Sequence, residues 1–365
     1  MQPLTYYNSY NERVCLPENY LQKQPPVKKA KAAIVVLTRN NEKDAITETI
    51  VNFEDKFNKN FNYPYVFLNN EAFDETFKNA IRAVVLPETE VKFGLIPQEH
   101  WDYPEWVDEQ KAAKARQEMD RNGVYFGGLE SYHHMCRYYS GFFYKHPLLD
   151  EYDWYWRVEP GAKFYCDITY DPFLYMEKHN KQYGFVITLT KLPSTIVSLW
   201  NHVLDYAKTR HIDVNNKKLA FPYFLDKNGD YNMCHFWSNF EIASLNLWRS
   251  PAYRDFFDYL DKTGNFFYER WGDAVHSLAA GLFLDTDQIH YFEDFGYQYD
   301  LYRHCPSEQS QLGCRCDCPA GTNNQSIDHD QNWDTCLPNW KTWVKSDKAR
   351  KAEWDFSYLE AYLPS

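Results

Sequence analysis

No run of about 18 apolar residues exists in this sequence, the length a membrane-spanning helix needs. Nor does a basic segment followed by an apolar stretch open it, as in a secretory signal peptide. Residues 1–28 are polar and proline-bearing and read as a stem remnant or irregular segment. An anchor missing from them says nothing about a longer natural chain. Positive charge is also short. Lys plus Arg number 39 against 51 Asp plus Glu, a net charge of −12 that excludes general nucleic-acid binding, which rests on neutralising phosphates. Internal repeats and low-complexity linkers are absent, so 29–365 reads as one catalytic-type domain. The G-x-G-x-x-G fingerprint, the P-loop, the G-x-S-x-G elbow and H-E-x-x-H are missing too. What remains is an ordinary soluble composition, 44% hydrophobic and 25% charged, in a chain long enough to bury a large core. Aromatics are abundant at 18%, and Tyr and Trp either fill cores or stack on sugars and bases.

Of nine cysteines, five lie between Cys305 and Cys336. A zinc knot favours pairs two to four residues apart, whereas Cys314, Cys316 and Cys318 are separated by single residues. The Pro, Gly, Asn and Ser around them suit a disulfide-stapled loop of a secreted protein. An odd count leaves at least one thiol free or paired between chains. Asn324-Gln325-Ser326 is the sole glycosylation sequon.

The apolar, β-branched run Ala32–Leu37 predicts a buried parallel strand ending at Thr38-Arg39-Asn40-Asn41. Ile46, Ile50 and Phe53 recur at helical spacing, predicting a helix that closes near Phe57. Tyr65–Asn69 and 83–86 predict further strands, and so do 153–158 and 184–189. Helices are expected over 111–123, 131–148, 194–209, 251–262 and 273–283, with a loop-rich tract over 301–340. Strand and helix alternate as in a doubly wound α/β sheet, whose ligands sit at the carboxyl ends of strands. Arg39 and Asn69 are therefore candidate ligand contacts.

Three motifs carry chemistry. Trp156-Arg157-Val158-Glu159-Pro160-Gly161 ends a strand in an acid on a sharp turn. A carboxylate there suits a divalent ion bridging a diphosphate. Arg157, two residues back on the same strand face, either pairs with Glu159 or meets phosphate. The stretch from Tyr231 to Ile242 mixes Asn, Ser and His with large rings. That mixture suits a sugar pocket, with His235, Trp237 and Asn239 as its readers. Glu241 lies in apolar company, where a carboxylate must be paired or functional. In Ser131-Tyr132-His133-His134-Met135-Cys136-Arg137, adjacent histidines point about 100° apart and rarely share one ion. Arg137 is favoured as an anion contact and Tyr132 as a hydroxyl donor. Asp273, His276 and Asp294 either join the site or satisfy loop backbone.

These segments, with Phe-Gly-Leu-Ile-Pro-Gln-Glu-His-Trp at 93–101 and the block 266–276, make the chain resemble the fungal α-1,2-mannosyltransferases of the Kre/Mnt/Ktr type, glycosyltransferase family fifteen. The resemblance runs from about Ala32 to Cys336 and implies a GT-A-like mixed α/β fold with a Cys-rich appendage. Residues 29–190 would bind the donor, 191–300 the acceptor, and 301–340 would form the tail. It implies mannose transfer from GDP-mannose, with manganese and with retention, to mannoside acceptors on N- and/or O-glycans. It also implies a type II Golgi membrane protein facing the lumen. By motif position Glu159 matches the metal-binding glutamate, Glu241 the proposed nucleophile and Tyr132 an active-site tyrosine; Arg39, Asn69, Arg137 and Arg157 are assigned to the donor. One departure stands out. Tyr299 falls where the family has a second manganese ligand, a histidine, so a weaker site results, or His290, His304 or water stands in.

Two other classes compete. A silent mannoside-binding protein on the same fold would need no metal. A glycoside hydrolase would need Glu159 and Glu241 about 5–5.5 Å apart if retaining.

Overall fold

The computed structural model describes residues 29–306 apart from Thr169 and Asp273, then 316–319, Ile327 and 334–345, and the backbone of Leu4–Tyr7 and Arg13–Leu16. Fourteen strands occur among them. β1 (Leu4–Tyr7) and β2 (Arg13–Leu16) pair antiparallel, so the segment expected to be irregular contains a hairpin. The body holds β3 (Ala32–Leu37), β4 (Tyr65–Asn69), β5 (Val91–Leu95), β6 (Trp154–Arg157), β7 (Lys163–Phe164), β8 (Tyr183–Phe185) and β9 (Thr188–Thr190). Then follow β10 (Cys234–Phe236), β11 (Glu241–Ser244), β12 (Ile289–Tyr291), β13 (Tyr297–Tyr299) and β14 (Tyr302–His304).

Seven strands form the central sheet, in the order β12-β8-β11-β6-β3-β4-β5. β6, β3, β4 and β5 run parallel, while β11 enters antiparallel between β8 and β6. The sheet is thus mixed and takes strands from both sides of residue 190. Its alternation sorts side chains into two cores. Ala32, Ile34, Val36 and Trp156 pack with Ile46, Ile50 and Phe53 of the helix Lys43–Phe53, and with Phe77 and Ile81 of the helix Glu75–Arg82. Ala33, Val35, Tyr155 and Ala243 pack against the helices Glu130–Gly141, Leu199–Thr209, Pro251–Asp261 and Ala274–Phe283. Helices on both faces make three layers, the α/β class the strand–helix alternation predicts.

Two expected strands differ. Residues 83–86 are not extended. They follow the helix Glu75–Arg82, Ala83 being its C-cap, and the strand comes later, at β5. A four-residue apolar run has no periodicity to separate helix end from strand. The run 184–189 is cut into β8 and β9, which belong to different sheets.

Cysteines pair as the disulfide reading expects: Cys305–Cys318, Cys166–Cys316 and Cys234–Cys336. Two of these bridges reach back 150 and 102 residues and pin the appendage to the sheet domain. Cys136 is buried. The Cys15 side chain, Cys314 and the sequon at Asn324 lie outside the described residues.

Candidate active site

The chain runs β3, β4, β5 in one direction across the sheet, then returns to place β6 on the other side of β3. Such a reversal opens a crevice beyond the carboxyl ends of the strands. A cleft of about 620 Å³ lies there. Its floor is Thr38, Arg39 and Glu42 after β3, Asn69 to Glu71 at the end of β4, and Glu159 and Pro160 after β6. Its facing wall is Trp101, Phe126, Leu129, Tyr132, Met135 and Tyr299. Ser131, Tyr132 and Met135 come from the first turns of the helix Glu130–Gly141.

Glu159 reaches the cleft because the chain turns sharply there. Ala162 N–H donates to the Glu159 carbonyl at 3.1 Å, and Gly161 takes φ 87°. Proline second and a left-handed glycine third are what this turn requires. The Glu159 carboxylate accepts from Arg157 Nε at 2.6 Å, and Arg157 Nη1 donates to Ser238 Oγ at 3.1 Å. Arg157 also lies 3.6 Å over the Tyr139 ring. Of the two roles open to Arg157, pairing with Glu159 is thus realised. Arg39 binds Glu42 at 2.9 Å. Burial pushes the Glu42 carboxyl up, but the Arg39 hydrogen bonds outweigh it and hold the group low, hence ionised. Asn69 is buried in the floor, and its Nδ2 has no partner among the described residues. A buried amide donor without an acceptor is costly unless a ligand supplies one.

Other candidates stand elsewhere. Arg137 does not face the cleft: Asp261 takes its Nε and Nη2 at 2.7 and 2.8 Å, a buried two-pronged pair between two helices. Arg137→Lys keeps the charge but loses the fork. It is expected to lower stability by about 1–2 kcal/mol, read by denaturant titration, with KM unchanged. His133 contacts the carbonyls of Phe266 and Gly127, and His134 that of Trp101, so both histidines serve the backbone. His235 is buried in β10 with Nδ1 on the Leu189 carbonyl. Asn239 is buried and accepts from Tyr297 at 3.2 Å. Of the three expected sugar readers, Trp237 comes nearest the cleft, its ring 5.6 Å from that of Tyr299. His304 holds the Glu293 carbonyl and His290 stacks on Tyr175, and neither lines the cleft, so neither replaces the missing histidine beside Tyr299. Asp294 is half-buried, with Tyr170 Oη at 3.3 Å from its Oδ1. Asp273 lies outside the described residues.

Glu241, expected as nucleophile, is 0% exposed and does not line the cleft. It faces the helical layer, where it accepts from the Tyr155 phenol and lies 3.1 Å from His276 Nδ1. Burial first, and then the Glu241 carboxylate, hold Tyr155 far above its usual range, so the phenol keeps its proton to donate. The His276 ring borders a void of about 10 Å³, shared with Arg157, Ser238 and Met135. One water is the most such a void holds, far less than a sugar ring. The correction is steric: Glu241 stands opposite Arg157 in the β11–β6 pair, and Tyr155 and His276 enclose its carboxylate. A hydrolase would need both Glu159 and Glu241 at one glycoside, and only Glu159 lines the cleft.

Tyr139 and Arg270 were not singled out from the sequence as site residues. Tyr139 shares helical spacing with Met135, Tyr138, Phe142 and Phe143, a pattern that reads as a core face. Arg270 stands between Tyr268 and Trp271 with no motif of its own.

The profile of the family described as glycolipid 2-alpha-mannosyltransferase matches residues 6–345. The chain is 51% identical over 300 residues to the glycolipid 2-alpha-mannosyltransferase of Saccharomyces cerevisiae, covering 81% of this chain and 66% of that one. It thus spans just under two thirds of that relative's length. Among solved structures, the mannosyltransferase Ktr4p of S. cerevisiae in complex with GDP superposes with a TM-score of 0.80 at 38% identity, covering 86% and 82% of the two chains. The Mn/GDP form of core-mannan synthase A from Aspergillus fumigatus superposes with a TM-score of 0.76 at 31% identity, over 93% and 98%.

Proposed function

This chain belongs to the glycolipid 2-alpha-mannosyltransferase family, and from that premise we propose that it transfers mannose from GDP-mannose to the 2-hydroxyl of a mannoside, with retention. The observation that carries this reading is the cleft at the reversal of strand order. It combines an acid on a turn, a buried amide donor without an acceptor, and an aromatic wall. GDP in the Ktr4p structure supports the same ligand class here.

The Mn/GDP form of core-mannan synthase A supports a metal. The chain offers it one hard donor, the rest being left to substrate. Glu159 offers hard oxygen at the cleft, and no group of three His, Cys, Asp or Glu gathers among the described residues. Substrate phosphates would complete the shell, as is usual for small hard cations. Glu159 would hold the manganese, which supplies charge neutralisation at the departing diphosphate.

The remaining roles belong to side chains. Asn69 and Arg39 hold the nucleotide end from the floor. Arg157 keeps the Glu159 carboxylate oriented. Tyr132 presents its hydroxyl from the wall. With Glu241 sealed from the cleft, transfer follows the same-face route. The bond from the anomeric carbon to the phosphate oxygen breaks, and the acceptor 2-hydroxyl oxygen bonds to that carbon from the same side. The hydroxyl proton passes to the leaving phosphate. Glu241 is then a positioning residue, acting through Tyr155 and His276. Mannosides of N- or O-glycans are the acceptor class.

Three disulfides suit an oxidising compartment. No helix of the described residues is long and apolar enough to cross a membrane. We place the chain in the Golgi lumen as the catalytic part of a type II membrane protein.

The test is GDP release from GDP-mannose with an α-mannoside, in Mn²⁺ and then in EDTA. Manganese-dependent release with a new α-1,2-linked disaccharide is expected. Release of free mannose without an acceptor product, or GDP binding without any turnover on N- and O-type mannosides, overturns the transferase.

A further inference from the structure

Arg137, Arg157 and Arg270 are the buried guanidiniums of the described residues. Asp261 matches the first and Glu159 the second. Among the described residues Arg270 meets no carboxylate. It is 5% exposed, and Nη1 donates one hydrogen bond, 3.2 Å to the Tyr132 hydroxyl. Its guanidinium carbon lies 5.2 Å from the centre of the Tyr132 ring, and Nε has no partner among the described residues. The backbone is fixed, since Arg270 N–H donates to the Thr195 carbonyl at 3.1 Å.

A buried cation without a counter-ion is destabilising, and so is a buried N–H without an acceptor. A fold tolerates both where an anion arrives from outside. The side chain that carries Arg270's hydrogen bond is Tyr132, which lines the cleft. The cleft has charged residues of its own: Arg39, Glu42, Glu71 and Glu159. Acids outnumber bases three to one there, and Glu42 already engages Arg39. An anionic ligand entering this cleft meets no uncommitted positive side chain on its lining. Arg270 stands one side chain behind it.

We propose that Arg270 is the anion-binding group of the cleft, compensating the diphosphate of the nucleotide sugar across the Tyr132 hydroxyl. This assignment rests on the nucleotide-sugar reading of the cleft and adds the residue that neutralises the leaving group. The unmatched charge is compensated when phosphate oxygens arrive on the far side of that hydroxyl.

The test is calorimetric titration of the full chain with GDP and with inorganic pyrophosphate, each in Mn²⁺ and in EDTA, for wild type, Arg270→Met and Arg270→Lys. Arg270→Met is expected to weaken both ligands by tenfold or more, in EDTA as well as in Mn²⁺. Its own melting temperature should stay level or rise, because an uncompensated charge leaves the interior. Arg270→Lys, which keeps the charge but not the fork, should recover part of the affinity and decides the matter should the methionine variant not fold. A lowered melting temperature with unchanged pyrophosphate affinity overturns the proposal and makes Arg270 a support for Tyr132. Wild type binding both ligands, with both variants binding equally well, overturns the Arg270 assignment alone. Wild type binding neither overturns the reading of the cleft itself.

Discussion

Glu159→Gln is expected to cut mannose transfer by about 10²–10³-fold, the loss typical of removing one preorganised group that faces developing charge. The fold should survive. Glutamine has the volume of glutamate, and its amide oxygen still accepts from Arg157 Nε, now 2.6 Å from the carboxylate. The turn that presents the residue depends on Pro160 and on Gly161 at φ 87°, not on the charge. What disappears is the negative oxygen facing the cleft. Turnover measured over a Mn²⁺ series should show a higher metal requirement together with the lower maximal rate. Wild-type turnover at saturating Mn²⁺ would show that the carboxylate has no part in the reaction.

Glu241→Leu is expected to destabilise the protein by about 3–5 kcal/mol, the cost of breaking a buried polar cluster by deleting one partner. Trp248 Nε1 donates to the Tyr155 hydroxyl at 2.9 Å, that hydroxyl donates to Glu241, and His276 Nδ1 reaches the same carboxylate at 3.1 Å. His276 in turn stacks on Trp248 with ring centres 4.2 Å apart. Leucine strands two donors in the core. Glu241→Gln keeps one acceptor but turns an amide N–H₂ toward groups that donate. Its expected cost is smaller, about 1–3 kcal/mol. Denaturant titration of both variants gives the ranking. Reduced turnover should accompany the lost stability, with GDP affinity retained in Glu241→Gln. A Glu241→Gln protein of wild-type stability that binds GDP and turns nothing over would instead place the carboxylate at the anomeric carbon.

Much of the sheet could be read in advance because parallel strands are buried on both faces. Ala32–Leu37 and Tyr65–Asn69 are unbroken apolar runs, and they are strands with the expected ends. The helix at 43–53 was equally plain from Ile46, Ile50 and Phe53. Residues 83–86 were misread because an apolar run that short looks alike at the end of a helix and in a strand. The antiparallel entry of β11 between β6 and β8 left no mark in the sequence, since each pairing joins distant segments.

The arginines divide in the same way. Arg157 and Glu159 are two residues apart on one strand, so strand geometry alone offers their pairing. Arg137 and Asp261 are 124 residues apart, and no local rule joins them. That no carboxylate of the described residues stands beside Arg270 depends on segments distant in sequence and has no local sign.

Composition and pattern by themselves determined the α/β class, the strand ends that border the cleft, the acid on its turn, the disulfide chemistry and the family resemblance. All of these depend on neighbours within a few residues or on long ungapped blocks. Tertiary structure alone decided which charges are matched, which cysteines pair, and that Glu241 is enclosed by Tyr155 and His276 while Glu159 lines the cleft. Burial and pairing are set by groups that meet only after the chain has closed loops of a hundred residues or more, and a linear sequence does not contain that distance.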